Sequence, residues 1–276
     1  MKFLIAVKMM GGLGNQLFQY ATGRSLSLRL KTDLYLDLYG FRDVKDFLGA
    51  AYFLDNFKLA PLLSEMDQSK LRFFKERSTN LFEPEILESP DNIYLCGYWQ
   101  YEDYFRDQET IIRKELTFKS PLSETSRIWA RKILDDPIPV SLHIRRGDYL
   151  QGKWASIFHH LQPNYYERCV GFLHENFPEI SLYIFSNDIP WCRMNLNFGV
   201  PTYFVDANDE SHGHEDLCLM SLCRHHIIAS STFSWWGAGL DNRVGSLILS
   251  PRKTYQNYDP FIEYRRLPTR WVILDD

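Results

Sequence analysis

The chain has 276 residues, a formal net charge of −4 at pH 7, and a composition that is 45% hydrophobic and 15% aromatic. This length can bury a large core in one or two domains, while the negative charge argues against nucleic acid as a partner. Five cysteines with no Cys-x-x-Cys spacing predict a reducing, cytoplasmic location. No apolar run approaches the roughly 20 residues of a membrane span. Residues 1–9 predict a first strand rather than a leader.

Hydrophobic periodicity divides the chain into alternating strands and helices. In the first half it predicts strands at 3–7, 34–36 and 93–99 and helices at 17–30, 103–116 and 123–134. In the second half it predicts strands at 138–144, 182–185, 202–205, 226–229 and 247–250, and helices at 163–177, 215–224 and 233–240. This rhythm indicates the α/β class with parallel sheets and crossover helices. The interruption of the pattern at Asp135-Asp136-Pro137 predicts a domain boundary there, with an N-terminal lobe, 1–136, and a C-terminal lobe, 137–276.

A glycine-rich loop follows the first predicted strand. Gly12 and Gly14 let a ligand approach the backbone closely, and Asn15 and Gln16 add polar side chains. The loop imitates a dinucleotide fingerprint, but Leu17 stands where the third glycine is required, which makes a nicotinamide enzyme a poor hypothesis. A ligand-binding loop and a tight turn with Asn15 capping the helix fit the spacing equally well.

Two adjacent arginines, Arg145 and Arg146, follow the strand predicted at 138–144, and Gly147 turns the chain directly after them. Neighbouring guanidinium groups repel each other unless an anion lies close by, and their planar fork suits bidentate capture of phosphate. The alternative is a structural ion network with Asp148 and other carboxylates. We favour the anion site, because ligands of open α/β sheets bind beyond the carboxyl ends of the strands.

Polar residues also follow the other strands of the second half, and a parallel sheet brings strand ends to one edge. The residues expected to converge there with the arginines are His143, Asp188, Asp206, Ser230, Ser231 and Thr232. Hydroxyl groups at a helix start can bind phosphate together with helical amides, or can simply cap the helix. Arg145 with these hydroxyls would form a diphosphate clamp and stabilise a departing nucleoside diphosphate without a metal ion. Histidine and cysteine spacings in this half match no common zinc pattern.

Four motifs, in order, resemble those of the α-1,2-fucosyltransferases of glycosyltransferase family 11. They are GGLGNQLFQYA at 11–21, HIRRGDY at 143–149, FSND at 185–188 with Trp191, and a stretch that runs from Met220 and Ser221 through IASSTFSWWGA at 228–238. The resemblance covers the whole chain, and the arginine motif is similar more loosely to that of α-1,6- and protein O-fucosyltransferases. It implies a GT-B fold of two Rossmann-like lobes with a cleft between them. GDP-fucose would bind mainly to the C-terminal lobe, without a metal or other cofactor.

The resemblance also implies residue roles. The expected donor-site residues are His143, Arg145, Arg146, Asp188, Glu215, Asp216, Ser230, Ser231, Thr232 and Phe233. Among them, Arg145 would bind the β-phosphate, positioned by His143, and either Glu215 or Asp216 would read the guanine. From the N-terminal lobe, the expected contacts are Gly12, Gly14, Asn15 and Gln16, with the last two facing the reaction centre.

The implied activity is inverting transfer of L-fucose from GDP-β-L-fucose to the 2-hydroxyl of a galactose-terminated acceptor, with peripheral contact to a membrane-borne glycan carrier left open. We predict Asp148 as the general base, the alternative being a carboxylate that only orients Arg146. Trp99, Gln100 and Tyr101 are candidate acceptor contacts or core residues. Competing hypotheses are another fucosyl linkage such as α-1,6, a non-catalytic nucleotide-binding module, and an NAD-dependent oxidoreductase.

Overall fold

The structure is a computed structural model, and it describes residues 4–41, 51–147, 152–256 and 267–275. Its contacts divide the chain into two compact units, Met1–Pro121 and Leu122–Asp276. The boundary lies earlier than the sequence predicted, because the helix at 124–135 belongs to the second unit. Its buried Ile133 packs in an apolar cluster with Tyr183 and Leu219, both of that unit.

The elements of the first unit are β1 (Leu4–Lys8), α1 (Leu13–Leu30), β2 (Asp33–Asp37), β3 (Arg72–Lys75), β4 (Ile93–Cys96) and α2 (Glu109–Glu115). Those of the second unit are α3 (Glu124–Asp135), β5 (Pro139–Ile144), α4 (Pro163–Asn176), β6 (Ser181–Ser186), α5 (Ile189–Asn195), β7 (Thr202–Phe204), α6 (Gly213–Leu222), β8 (His225–Ile227), α7 (Thr232–Gly239), β9 (Ile248–Pro251) and β10 (Val272–Leu274). The pairs within both sheets are all parallel, which confirms the predicted α/β class with two parallel-sheet units.

The first unit has the strand order β2-β1-β4-β3. Strand β1 is central and almost wholly buried, as its unbroken apolar run predicts, and Ala6 lies opposite both Tyr35 and Tyr94. Helix α1 packs closely on β1 at Gly23, where a Cβ atom would lie 2.3 Å from a Val7 methyl group. The chain leaves β1 to one side for β2 and fills the other side with β4. The carboxyl ends of β1 and β4 therefore form a topological switch point.

The second unit has the strand order β10-β9-β8-β5-β6-β7. Strand β5 is buried along its whole length and pairs with β6 on one side and β8 on the other. The chain builds outward from β5 through β6 and β7, then returns to the other side of β5 for β8, β9 and β10. A second switch point thus lies at the carboxyl ends of β5 and β8, where open α/β sheets bind ligands.

Three elements escape the periodicity analysis, and one predicted helix is wrong in its first half. Strand β3 is mostly exposed, α5 has only seven residues, and β10 has three, so none gives a sustained pattern. Residues 102–108 form 3-10 turns instead of the start of a helix. There, Tyr104 packs against Phe82 and Trp99, which outweighs helical propensity. None of the helices in the described ranges combines the length and apolar composition that crossing a membrane requires.

Candidate functional site

Three elements of the second unit meet at the switch point of its sheet. His143 lies near the end of β5, and its ring centroid is 5.4 Å from that of Phe233, in the first turn of α7. A Cβ atom at Gly213, where α6 begins, would lie 3.6 Å from the ring of Phe233. The ends of β5, α6 and α7 therefore form one continuous surface, and Arg145 directly follows β5 at its border.

His143 is a buried, neutral imidazole at this surface. Its side chain is 4% exposed, and its Nδ1 atom has no hydrogen-bond partner among the described residues. Burial, together with the neighbouring charge of Arg145, lowers the pKa of His143 to about 3. The ring is consequently uncharged at neutral pH and does not repel the guanidinium of Arg145.

Arg146 belongs to a structural network rather than to the open surface. Its Nε atom lies 3.2 Å from Oδ2 of Asp188, and its guanidinium carbon lies 3.5 Å from the centre of the Trp191 ring. Its backbone N–H donates to Oδ1 of Asn187 at 2.9 Å. Asp188 also accepts from the N–H of Trp191 and so caps α5. The ion network that the sequence offered as an alternative therefore describes Arg146.

The turn after Arg146 requires glycine. Gly147 has φ +39°, in the left-handed region, and a Cβ atom there would lie 2.2 Å from Nδ2 of Asn187. The same Asn187 side chain holds the N–H of Arg146. Asn187, which directly follows β6, therefore sets the backbone path of Arg146 and Gly147 after β5.

The network around Arg146 gives a testable expectation for stability. Arg146→Ala removes an ion pair and a cation–π contact, both partly shielded from water, so we expect the free energy of unfolding to fall by about 1–2 kcal/mol. Arg146→Lys keeps the charge but not the flat stacking surface, so its free energy of unfolding should lie between those of the wild type and Arg146→Ala. Urea unfolding measures the loss, and tryptophan fluorescence should shift as Trp191 loses its cover. An unchanged midpoint and spectrum for Arg146→Ala would contradict this placement.

Both serines of the segment before α7 have structural partners. Ser230 donates its hydroxyl to the carbonyl of Lys253 at 2.6 Å, which ties the end of β8 to the chain beyond β9. Ser231 accepts from the N–H of Phe233 at 3.3 Å and is the N-cap of α7. The capping alternative therefore holds for Ser231. Thr232, partly buried, is the first residue of the helix.

The two acids proposed as guanine readers have different environments. Glu215 is 7% exposed and accepts from the N–H and the hydroxyl of Ser123, at 3.0 and 2.6 Å, so it fastens α6 to the start of α3. Asp216 accepts from Nδ2 of Asn208 at 2.7 Å. Burial raises the pKa of Asp216 to about 7, although the hydrogen bond from Asn208 opposes the shift. Of the pair, Asp216 is the acid that changes charge near neutral pH.

The raised pKa of Asp216 makes a prediction with a definite sign. The folded protein holds this proton more tightly than the unfolded chain does, so stability should fall as pH rises from about 4 to about 7. Asp216→Asn removes the charge at every pH. At pH 8 we expect the variant to unfold at a higher temperature than the wild type, by the equivalent of roughly 2 kcal/mol. At pH 4 we expect the two proteins to unfold at the same temperature. Thermal scans at both pH values measure the difference, and equal midpoints at pH 8 would contradict it.

At the switch point of the first unit, α1 begins at Leu13, earlier than predicted. Gly12 is the N-cap residue, without a side-chain cap, so the alternative in which Asn15 caps the helix is wrong. Gly14 is buried in the first turn. Asn15 is partly exposed, and its Oδ1 atom accepts from Nε2 of Gln100 at 2.8 Å.

Gln16 is a structural residue in this geometry. Its side chain is fully buried and donates to the carbonyls of Gly11 and Ala51, at 2.8 and 2.7 Å. It also accepts from the N–H of Phe53 at 2.9 Å. With every polar atom used by backbone, Gln16 does not face a substrate as the resemblance implied. Instead, it fastens the glycine turn to a later segment of the unit.

Trp99 and Tyr101 are buried, 0% and 1% exposed, so they are core residues rather than acceptor contacts.

Asp148, predicted as the base, lies outside the described residues. Sequence reasoning quoted Asn187 within the FSND motif without giving it a role, and it missed Asn208. Only the packing of their loops reveals that Asn187 contacts Arg146 and Asn208 contacts Asp216. Within the described ranges, no three histidine, cysteine, aspartate or glutamate side chains are grouped to hold a metal ion.

Comparison with known proteins is consistent with this architecture. The family model described as Glycosyl transferase family 11 matches residues 4–265. An Escherichia coli protein named Alpha-1,2-colitosyltransferase is 30% identical over 99% of both chains, and the Escherichia coli O-antigen biosynthesis glycosyltransferase WbnK is 31% identical over 89% of this chain and 93% of its own. Galactoside alpha-(1,2)-fucosyltransferase 1 of Alouatta belzebul is 28% identical over 56% of this chain and 44% of its own.

Solved structures of fucosyltransferases share the fold. The NodZ alpha-1,6-fucosyltransferase soaked with GDP-fucose superposes with a TM-score of 0.56 at 13% identity, covering 90% of this chain and 95% of that one. A mutant of Arabidopsis thaliana FUT1 in complex with GDP gives 0.54 at 11% identity, covering 91% and 70%. The family model matches residues 4–265, and the two Escherichia coli relatives are 30% and 31% identical over most of this chain, so the chain belongs to glycosyl transferase family 11.

Proposed function

We propose that this protein transfers L-fucose from GDP-β-L-fucose to the 2-hydroxyl of a terminal galactoside, with inversion at the anomeric carbon. The observation that carries the proposal is the surface formed by the end of β5 and the first turns of α6 and α7, with Arg145 directly after β5, in a chain of this family. Relatives named for galactoside alpha-(1,2) transfer support the linkage and the acceptor class. An α-1,6 linkage, as in the NodZ structures, has support from fold alone.

The donor diphosphate would bind between Arg145 and the start of α7. Helix N-termini carry exposed N–H groups and partial positive charge, which favours a phosphate there. Arg145 would hold the β-phosphate through two parallel hydrogen bonds and stabilise the charge that develops as the sugar leaves. His143, uncharged and buried beside it, would position this arginine. We propose that these groups serve without a metal ion.

Asp216 is the better candidate of the two acids for guanine. An ionised carboxylate can accept from both the N1–H and the amino group of guanine, and this requires oxygens that are not already satisfied. Both oxygens of Glu215 accept from Ser123, whereas Asp216 has a raised pKa and a single described donor, Asn208. Binding of GDP to the ionised form would lower that pKa and favour nucleotide binding above neutral pH.

Two parts of the mechanism rest on residues that the sequence suggests. Asp148, two residues beyond Arg146, would accept the proton of the acceptor hydroxyl. The edge of the first unit that carries Asn15 and Gln100 would contact a sugar. We propose a cytoplasmic location with transient contact to a carrier that presents the glycan.

A second donor deserves the same assay, because the relative matched along its full length is named a colitosyltransferase. Colitose differs from fucose by the loss of one hydroxyl, at carbon 3. A site that hydrogen-bonds this hydroxyl would reject colitose strongly, while a site that leaves it free would accept both sugars. The donor preference therefore reports how the sugar is held.

The experiment supplies GDP-fucose or GDP-colitose with lactose, lacto-N-biose or N-acetyllactosamine, with and without EDTA. We expect a product with the new sugar on the 2-hydroxyl of galactose, and equal rates in EDTA. Tight GDP binding without transfer from either donor would instead support a nucleotide-binding module. Transfer that stops in EDTA and returns with a divalent ion would overturn the metal-free part of the proposal.

A further inference from the structure

Buried polar side chains connect two loops at the switch point of the first unit. Gln19, on α1, is fully buried and uses both ends of its carboxamide. Its Oε1 atom accepts from the N–H of Met10, beyond β1, and its Nε2 atom donates to the carbonyl of Gly97, beyond β4, each at 3.1 Å. The glycine turn and the loop after β4 are thereby held at a fixed separation.

A buried acid fixes the shape of the loop after β4. The carboxylate of Glu76 is 8% exposed and accepts from the N–H groups of Tyr98 and Trp99, at 2.7 and 3.0 Å. Trp99 has φ +56°, a conformation that costs on the order of 1–3 kcal/mol for a non-glycine residue. Glycine is required at Gly97, where a Cβ atom would lie 2.4 Å from Cβ of Glu76. The loop is held in a strained shape just before Gln100.

Gln100 sets the orientation of the Asn15 carboxamide. It is 8% exposed, and its Nε2 atom donates to Oδ1 of Asn15 at 2.8 Å. With the oxygen held there, the Asn15 amino group lies over Gly11, where a Cβ atom would come within 2.6 Å of it. Space is open beside the next residue, because a Cβ atom at the exposed Gly12 would meet nothing within 4 Å.

We propose that Gln100 is a positioning residue for Asn15. It holds the Asn15 oxygen so that the amino group is presented, as a donor, to an oxygen-rich ligand approaching over Gly12. The ligand class is a sugar or sugar nucleotide, whose hydroxyl and phosphate oxygens accept hydrogen bonds, and this part rests on the proposed function. Buried polar networks add little net stability compared with apolar packing. Orienting a binding group in advance is what such a network achieves.

A double-mutant cycle tests the inference. Gln100→Leu should lower kcat/KM for fucosyl transfer about tenfold, as expected when one oriented hydrogen bond is lost. In the Asn15→Ala background the same substitution should change kcat/KM by less than twofold, because the group it orients is gone. Gln100→Glu, which cannot donate to the Asn15 oxygen, is the second variant and should behave in the same way. A further tenfold loss in the Asn15→Ala background would overturn the inference and make Gln100 a direct substrate contact.

Gln19→Leu is the matched control, because it removes another buried glutamine of the same network that does not touch Asn15. Its effect should persist in the Asn15→Ala background. A protein that does not transfer fucose at all would refute the proposed function but leave the inference testable. In that case, NMR of the side-chain amides decides it: the Asn15 amide resonances should shift in Gln100→Leu and stay in place in Gln19→Leu. Unchanged Asn15 resonances in Gln100→Leu would overturn it.

Discussion

Arg145→Ala is expected to lower kcat for fucosyl transfer by about three orders of magnitude in a protein that remains folded. The side chain carries a permanent positive charge directly after β5, at the switch point of the second unit. Removing one preorganised group that stabilises developing charge costs roughly 10²- to 10³-fold in other enzymes, and a bidentate contact to a charged group lies at the upper end. Arg145→Lys keeps the charge without the planar fork, so we expect a loss of roughly 10²-fold. Steady-state kinetics with GDP-fucose measures both.

The control for this experiment is Arg193→Ala. Arg193 is an exposed arginine of the same unit, 2.8 Å from a carboxylate oxygen of Asp206, and its loss should leave the rate unchanged. Thermal unfolding shows whether each variant is folded. If Arg145→Ala retains activity within tenfold of the wild type while folded, another group binds the diphosphate.

Asp241→Ala is expected to destabilise the second unit by about 3 kcal/mol, which corresponds to roughly 10 °C in melting temperature. The Asp241 side chain is 2% exposed and lies 3.0 Å from Nε2 of His226, whose own side chain is 0% exposed. The other side of that ring is 2.7 Å from the hydroxyl of Ser141, directly across from it on β5. Without the carboxylate, a buried N–H would lose its acceptor.

In acid, Asp241→Ala should reduce the free energy of unfolding by less than it does at pH 7. Burial opposes ionisation of Asp241, but its hydrogen bonds with His226 and Arg243 outweigh that effect and lower its pKa. A lowered carboxylate pKa stabilises the folded state fully above the unfolded value of about 4, and this contribution declines progressively as pH falls from there toward the folded pKa, so part of it is lost at pH 3.5. Urea unfolding of wild type and Asp241→Ala at pH 7 and at pH 3.5 measures both quantities.

Asp206→Ala provides the comparison, since its carboxylate pairs with an arginine at the surface, where both side chains are about half exposed. We expect a cost below about 1 kcal/mol. A loss at Asp241 no larger than this one would show that the buried contacts do not hold β8 against β5.

The positions of Arg145, directly after β5, and of the residues after β8 could be predicted from sequence, because one physical rule places both. Strand β5 is central and parallel, so its apolar run ends where ligands bind, and the residues after β8 must arrive beside it. The different positions of Arg145 and Arg146 were not accessible. The sequence predicted Asp188 near both arginines, but the pairing of Arg146 with Asp188 and Trp191 depends on how the start of α5 packs after β6.

The first unit shows how a shift in a helix start changes a site. Periodicity began the helix at Leu17, because glycines are poor helix formers, whereas Gly12 caps it and α1 begins at Leu13. In the resulting phase Gln16 points into the unit and Asn15 lies at its partly exposed edge. Two neighbouring amides that the sequence treated alike therefore have different environments.

The contacts of Ser141, His226 and Asp241 place a hydroxyl, an imidazole and a carboxylate in the order found in serine hydrolases, but with the two ring nitrogens exchanged: Nδ1 faces Ser141 and Nε2 faces Asp241. Here the hydroxyl is sealed inside the sheet, 0% exposed, and no ester or amide carbonyl can reach it. We therefore expect an organophosphorus reagent to leave Ser141 unmodified. Access from solvent and the choice of ring nitrogen, rather than the identity of the three groups, separate a catalytic nucleophile from a hydrogen-bonded link between two strands.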